Sequence, residues 1–220
     1  MIFEALRISI IVVTFSTIII GVVGVALAVL LAKYNFRGKE VLDALLTLPL
    51  VLPPTVTGYY LLVLFGRRGL IGGYVYELTG RTIVFTLEGA ILAAVVVSLP
   101  LMIKAARAGI ESVDPEYERA SFTLGKSRLE TFWRITLPLA KRSIVAGLVL
   151  SFARALGEFG ATLMVAGNIP GRTQTMPMAI YEAMVSGDDG EAQILAIILT
   201  AISLVAIYLT NRFSRSAIFG

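Results

Sequence analysis

The 220-residue chain is 57% hydrophobic, with a mean hydropathy of +0.85 and a formal net charge of +4. A soluble domain of this length has no interior large enough for so much apolar surface. Several runs exceed the about 18 apolar residues that mark a transmembrane helix, so the composition predicts a polytopic membrane protein. With no cysteine, disulfides, thiol catalysis and zinc ribbons are excluded; with no histidine, the usual general base, proton shuttle and metal ligand are gone. The basic surplus calls for no nucleic acid, because cytoplasmic loops of membrane proteins are normally basic.

Five spans are expected. The first, about 8–32, is too long for a signal-peptide core and has no small-residue cleavage site behind it. Gly21 and Gly24 give it positions for close helix packing. A short basic loop follows, and the second span, about 41–65, contains Pro49, Pro53 and Pro54. A broken membrane helix is tolerated only where neighbours or a wet cavity satisfy the freed carbonyls. Pro53, Pro54 and Thr55 therefore mark either a packing kink or the lining of a translocation pathway. Residues 66–85 are polar and glycine-rich, with a short surface helix expected around 71–78. The third span is about 87–103, a polar stretch covers about 104–136, and the fourth span is about 137–166. Residues 167–191 read as a loop with an acidic end, and the last span, about 194–209, is followed by Arg212 and Arg215.

Five crossings put the termini on opposite sides. Most Lys and Arg fall in 33–39, 104–142 and the tail, which share one face. The positive-inside rule then places the N-terminus outside and the polar stretch and C-terminus in the cytoplasm, with Arg67, Arg68 and Arg81 running against the trend.

The stretch 114–138, DPEYERASFTLGKSRLETFWRITLP, is a polar island in an oily chain. Asp114 is a good N-cap and Pro115 fits the first helical position, where its missing N–H costs nothing. Tyr117, Ala120, Ser121 and Leu124 share a small-to-apolar face. Gly125 stands where a left-handed C-cap is wanted. Ser127 and Glu130 form a second capping box opening a helix with Leu129, Phe132 and Trp133 on one side, and Pro138 closes the unit. Periodicity alone describes an amphipathic interfacial loop. The order Glu118, Ala120, Gly125, Ile135, Leu137, Pro138 further resembles the EAA loop of ABC-importer permeases, which forms a coupling helix docked on a cytoplasmic ATPase. The chain departs from the usual pattern in carrying Arg119 at the acidic position, with Glu118 one residue earlier, and Ser121 for the second alanine.

Within the fourth span lie Arg154 and Glu158, four residues apart. A charge near the bilayer centre costs about 2.5–3.5 kcal/mol on insertion scales, so the pair must face protein or water. Two roles stay open: an ion pair between helices or across a dimer, or an arginine that lines or gates an anion path. The run from Ser151 to Tyr181, together with LPLVLPPTVTGYYLLVLFGRRGLIG at 48–72, resembles the molybdate permeases of the ABC importers, with sulfate permeases as relatives. The resemblance spans nearly the whole chain. It implies an all-α integral membrane protein with the type I importer permease fold, in the cytoplasmic membrane of a prokaryote. It further implies a homodimer working with two ATPase subunits and an extracytoplasmic oxyanion-binding protein, with molybdate, and tungstate ranked below it, as substrate.

No G-x-x-x-x-G-K-[ST] motif is present, so ATP and Mg²⁺ belong to the partner ATPase and no cofactor is expected on this chain. The expected mechanism is alternating access with an ATP-driven motion carried by the island. Sulfate or another oxyanion is the nearest alternative. A channel or secondary carrier would not need the island, and an intramembrane enzyme would need clustered catalytic groups where only Glu158 is available.

Overall fold

The computed structural model describes residues 2–216, with side chains described for residues 2–208. The regular elements are helical: α1 (Ile2–Lys33), α2 (Lys39–Val51), α3 (Pro54–Phe65), α4 (Leu70–Thr79), α5 (Leu87–Glu111), α6 (Pro115–Thr123), α7 (Arg128–Thr131), a π turn (Phe132–Thr136), α8 (Leu137–Leu156), α9 (Gly160–Ala166), α10 (Met176–Ser186) and α11 (Asp189–Ser216). Four stretches are long and apolar enough to cross a bilayer: Ile2–Lys33, Leu87–Glu111, Arg128–Leu156 and Asp189–Tyr208. The α2–α3 pair makes a fifth when taken as one broken pass.

Contacts fix the direction of each pass. Ile8, Val12 and Val13 of α1 meet Ala90 and Ala94 of α5, while Ile20 and Ala28 meet Met102, Ala106 and Ile110. The two helices therefore run parallel. Gly24 makes this possible, since a Cβ there would sit 2.6 Å from the Met102 side chain. Helix α8 runs the opposite way, with Ala140 in the second cluster and Ala155 and Leu156 in the first. Helix α11 starts beside Ala5 and Met176 through Leu195 and continues along α8, with Leu199 and Ile202 against the cluster that holds Ala155 and Leu156. Because α1 and α5 run the same way, the chain between them must return once across the bundle, and α2–α3 is that return. The passes alternate, and α6 and α7 lie at the end where α1 and α5 finish. We call this the polar end.

Several helical extents differ from the sequence expectation. The second apolar run is not one helix: it turns by 120° between α2 and α3. Pro53 and Pro54 have no N–H to continue the ladder, and the Pro53 carbonyl instead accepts the N–H groups of Val56 and Thr57. The fourth run also breaks, at Gly157–Phe159, so 160–166 is a separate short helix. It begins earlier than expected, because the helix from Arg128 passes straight through Pro138. The expected loop 167–191 contains α10, and α5 stays helical to Glu111. The surface helix expected at 71–78 is α4. The side chains of Arg212 and Arg215 lie outside the described residues.

Candidate functional site

At the polar end the island folds as a helix–turn–helix. Asp114 Oδ1 accepts the Glu116 N–H at 2.9 Å, with Pro115 in the first turn. At the other end of α6 the Gly125 N–H bonds to the Phe122 carbonyl at 3.0 Å and the Lys126 N–H to the Ser121 carbonyl at 3.2 Å. That pairing is a Schellman closure, and it requires the φ of +77° that Gly125 supplies. Ser127 Oγ then accepts the Glu130 N–H at 3.2 Å. The Glu130 carboxylate turns to Lys126 (2.8 Å) and Arg134 (3.3 Å).

One carboxylate ties this unit to the bundle. Glu118 Oε1 lies 2.8 Å from Lys33 Nζ, at the end of α1, and accepts the Thr136 hydroxyl at 2.5 Å. Its side chain is only 16% exposed. Burial pushes its carboxyl pKa up, but the hydrogen bonds from Lys33 and Thr136 and the Lys33 charge outweigh burial and hold it below the ordinary value. Beside it the buried hydroxyls of Ser121 and Thr131 lie 2.8 Å apart, joining α6 to α7. The π turn explains how Thr136 arrives there. Pro138 has no N–H for the Arg134 carbonyl and its ring would crowd it. The helix widens by one residue instead, so that the Leu137 N–H reaches Phe132.

Glu118 and Ser121 thus face inward, while Tyr117, Ala120 and Leu124 are exposed. The face expected from periodicity is split between bundle and solvent. Phe122, Leu129 and Trp133 add to the exposed apolar surface.

A second set of charges fastens α2. Asp43 Oδ1 lies 2.7 Å from Lys104 Nζ and Oδ2 lies 3.0 Å from Arg107 Nη1, and Arg107 Nε also reaches Glu111 at 2.7 Å. No residue of α2 is fully buried, and these ion pairs join it to α5 beside its half-buried Leu42, Leu46 and Pro49.

The two helix breaks meet. A Cβ on Gly160, the first residue of α9, would lie 3.1 Å from Pro54 and 3.3 Å from Thr55; one on Gly58 would lie 2.8 Å from the Ala161 Cα. Helix α9 is held at both ends. Glu158 Oε1 accepts the Ala161 N–H at 2.8 Å, and the Phe85 N–H donates to the Val165 carbonyl at 2.9 Å. The other Glu158 oxygen lies 2.7 Å from Arg154 Nη1 in the same chain. Glu158 is buried, whereas the Arg154 side chain keeps 30% of its surface exposed. Among the described residues, no cluster of acidic side chains fit to hold a metal is present.

Asp114, Pro115, Glu118, Ala120, Ser121, Gly125 and Pro138 therefore fall in one unit, and Pro53, Pro54, Thr55, Arg154 and Glu158 gather at the two breaks. The sequence reading did not find Lys33, Thr136, Thr131 or the Asp43 clasp. Asp43 and Arg107 are 64 residues apart, and nothing local pairs them.

A family model described as "Binding-protein-dependent transport system inner membrane component" matches residues 22–218. Molybdenum transport system permease protein ModB of Escherichia coli (strain K12) is 47% identical over 194 residues, which cover 87% of this chain and 84% of that protein. The probable sulfate transport system permease protein cysT of Chlorokybus atmophyticus is 36% identical over 197 residues, covering 90% and 68%. Among solved structures, a bacterial ABC transporter involved in the import of the acidic polysaccharide alginate superposes with a TM-score of 0.77. It is 15% identical and the match covers 97% of this chain and 79% of that one, a likeness of fold alone.

Proposed function

The chain belongs to the binding-protein-dependent transport system inner membrane components, a family of multi-pass transport subunits, and from that premise we propose that it is the permease of an ATP-driven molybdate importer. The carrying observation is the island clamped through Glu118 to Lys33 of α1 and Thr136 beside α8, with its other face apolar and open. A helix so held transmits a push from a cytoplasmic partner to two spans at once. Two copies of the chain enclose the passage, two ATPase subunits dock on the islands, and an extracytoplasmic binding protein delivers the anion. The surplus of Lys and Arg around 33–39 and 104–142 supports a cytoplasmic polar end, hence an outside N-terminus and a cytoplasmic C-terminus.

Nucleotide closure of the ATPases moves α6, and alternating access follows as α1 and α8 move with it. The two breaks line the passage: Pro53, Pro54 and Thr55 border α9, and the part-exposed Arg154 offers positive charge that Glu158 holds in place. A dianion moving through a low-dielectric region gains from such a group. Molybdate is preferred over sulfate because the molybdate relative is the more similar, 47% against 36%.

The test is ATP hydrolysis by the chain co-purified with its companion ATPase in lipid vesicles, with the binding protein and molybdate, tungstate, sulfate or phosphate added in turn. Stimulation by molybdate and tungstate is expected. Stimulation by sulfate alone would keep the machine and change the substrate. Loss of the companion on purification would sink the coupling assignment.

A further inference from the structure

At the end of the bundle opposite the island, Arg67, Arg68 and Arg81 run against the charge distribution usual for a membrane protein. Two of them are adjacent, just past the end of α3. Gly72 lets α4 fold back there, since a Cβ on it would lie 2.1 Å from the Phe65 carbonyl oxygen. The return places Tyr76 against Arg67. The guanidinium carbon stands 4.1 Å from the ring centroid, and Nη2 donates to the Tyr76 hydroxyl at 2.8 Å. An aromatic ring orients a guanidinium without neutralising it. Arg68 lines the same open cleft of about 590 Å³, with Gly73 and Glu77 as further walls. Both arginines are exposed and, among the described residues, neither forms an ion pair, even with Glu77 in the cleft.

We propose that this cleft is an outer receiving site for a tetrahedral oxyanion, held between Arg67 and Arg68 by charge-assisted hydrogen bonds. The inference rests on the permease reading above, in which the break at Pro54 and Thr55 borders the passage. Helix α3 has 12 residues, so at about 1.5 Å per residue the arginines stand roughly 18 Å outward of that break. An anion released outside meets them before it reaches Arg154. Tyr76 keeps Arg67 poised, so little side-chain freedom is lost when the anion arrives. Glu77 sets a negative charge beside the anion and holds the affinity down, as a site on a conduction path requires for release.

Equilibrium binding of radiolabelled molybdate is measured on the permease–ATPase complex without nucleotide, in phosphatidylcholine nanodiscs. Beside it runs ATP hydrolysis stimulated by the molybdate-loaded binding protein. Arg67→Gln combined with Arg68→Gln is expected to weaken binding about tenfold or more and to slow the stimulated hydrolysis. Tyr76→Leu, which frees the guanidinium, is expected to weaken binding by less. Glu77→Gln is expected to tighten it severalfold, a change of sign that loss of folding does not produce. Arg81→Gln, outside the cleft, is expected to match wild type. Binding and stimulation of the double variant within twofold of wild type would overturn the site while keeping the permease reading. Unchanged molybdate binding by the double variant, with lost retention of added phosphatidylethanolamine, would assign the arginines to a lipid phosphate and overturn the free anion. No stimulation of wild type by any oxyanion would overturn the permease reading itself, and the site with it.

Discussion

The Lys33 ammonium lies 2.8 Å from the Glu118 carboxylate, so the last residue of the first pass holds the middle of α6. The same oxygen takes the Thr136 hydroxyl, which puts α1, α6 and the start of α8 on one acceptor. Ridged surfaces alone would let a nine-residue helix slide; a shared carboxylate fixes its register.

Glu118→Gln tests this directly. It keeps an acceptor for Thr136 but removes the charge that Lys33 meets, with a loss of about 1.5–3 kcal/mol for a hydrogen bond to a charged group. We expect the ATPase to remain bound while its stimulation by the loaded binding protein drops severalfold. Unchanged stimulation would show that α6 needs no clamp.

The same pair has a defined pH response. The folded Glu118 carboxyl is held below its ordinary 4.5, so its contribution is fully present above that value. It is lost as pH falls through the lower folded value, where the carboxylate protonates. Hydrogen exchange of the α6 amides is therefore expected to be flat, after correction for intrinsic rates, from neutral pH down to about 5 and to rise only in stronger acid. A midpoint above 5 would contradict the clamp.

Gly125 separates backbone strain from docking. Its φ of +77° disfavours any side chain, but a Cβ there meets nothing within 4 Å. Gly125→Ala and Gly125→Leu should thus cost the fold a similar amount, about 1 kcal/mol. Any excess loss of ATPase stimulation in the leucine variant reports contact with the partner. Failure of both to insert or dimerise would make the residue purely structural.

Local chemistry made much of this legible. Asp114 with Pro115, Gly125 and Ser127 each act within a few residues, so the ends of α6 and the start of α7 follow from spacing. Four of the five expected passes follow directly, because each needs only a run of apolar residues, and the fifth is the bent α2–α3 pair. What spacing concealed was how the helices respond to proline. Pro138 reads as a stop, yet a π turn absorbs it, while Pro53 with Pro54 turns the chain by 120°. Arg154 and Glu158 looked like neighbours on one helical face; they pair across a break at Gly157, and Glu158 also caps α9. Lys33–Glu118 and Asp43–Arg107 depend on how whole helices pack, and no window of sequence contains them.

Asp43→Asn is expected to loosen α2 alone. No residue of that helix is fully buried and its joint with α3 has no continuous ladder, so the ion pairs to Lys104 and Arg107 add to the thin packing of Leu42, Leu46 and Pro49 in holding it. Amide exchange over 39–51 should accelerate about tenfold for the loss of each 1.4 kcal/mol of local stability, while α1 and α5 stay protected. Equal protection in the variant would mean that α2 is held by something other than the clasp.

The pair at the breaks calls for a double-mutant cycle. Arg154→Gln leaves the buried Glu158 carboxylate without its cation, and Glu158→Gln leaves the guanidinium unpaired and weakens the cap on Ala161. Removing the cation strands the buried Glu158 charge, while the guanidinium, 30% exposed, loses less when Glu158 is removed, so Arg154→Gln is the costlier single change. The double variant should therefore unfold at a higher temperature than either single one, because no charge is stranded. Stability and transport then diverge. If Arg154 serves the anion, the double variant regains folding and dimer retention yet stays slow in molybdate-stimulated ATP hydrolysis. Recovery of both would reduce Arg154 to a brace for α9 and leave the passage to other residues.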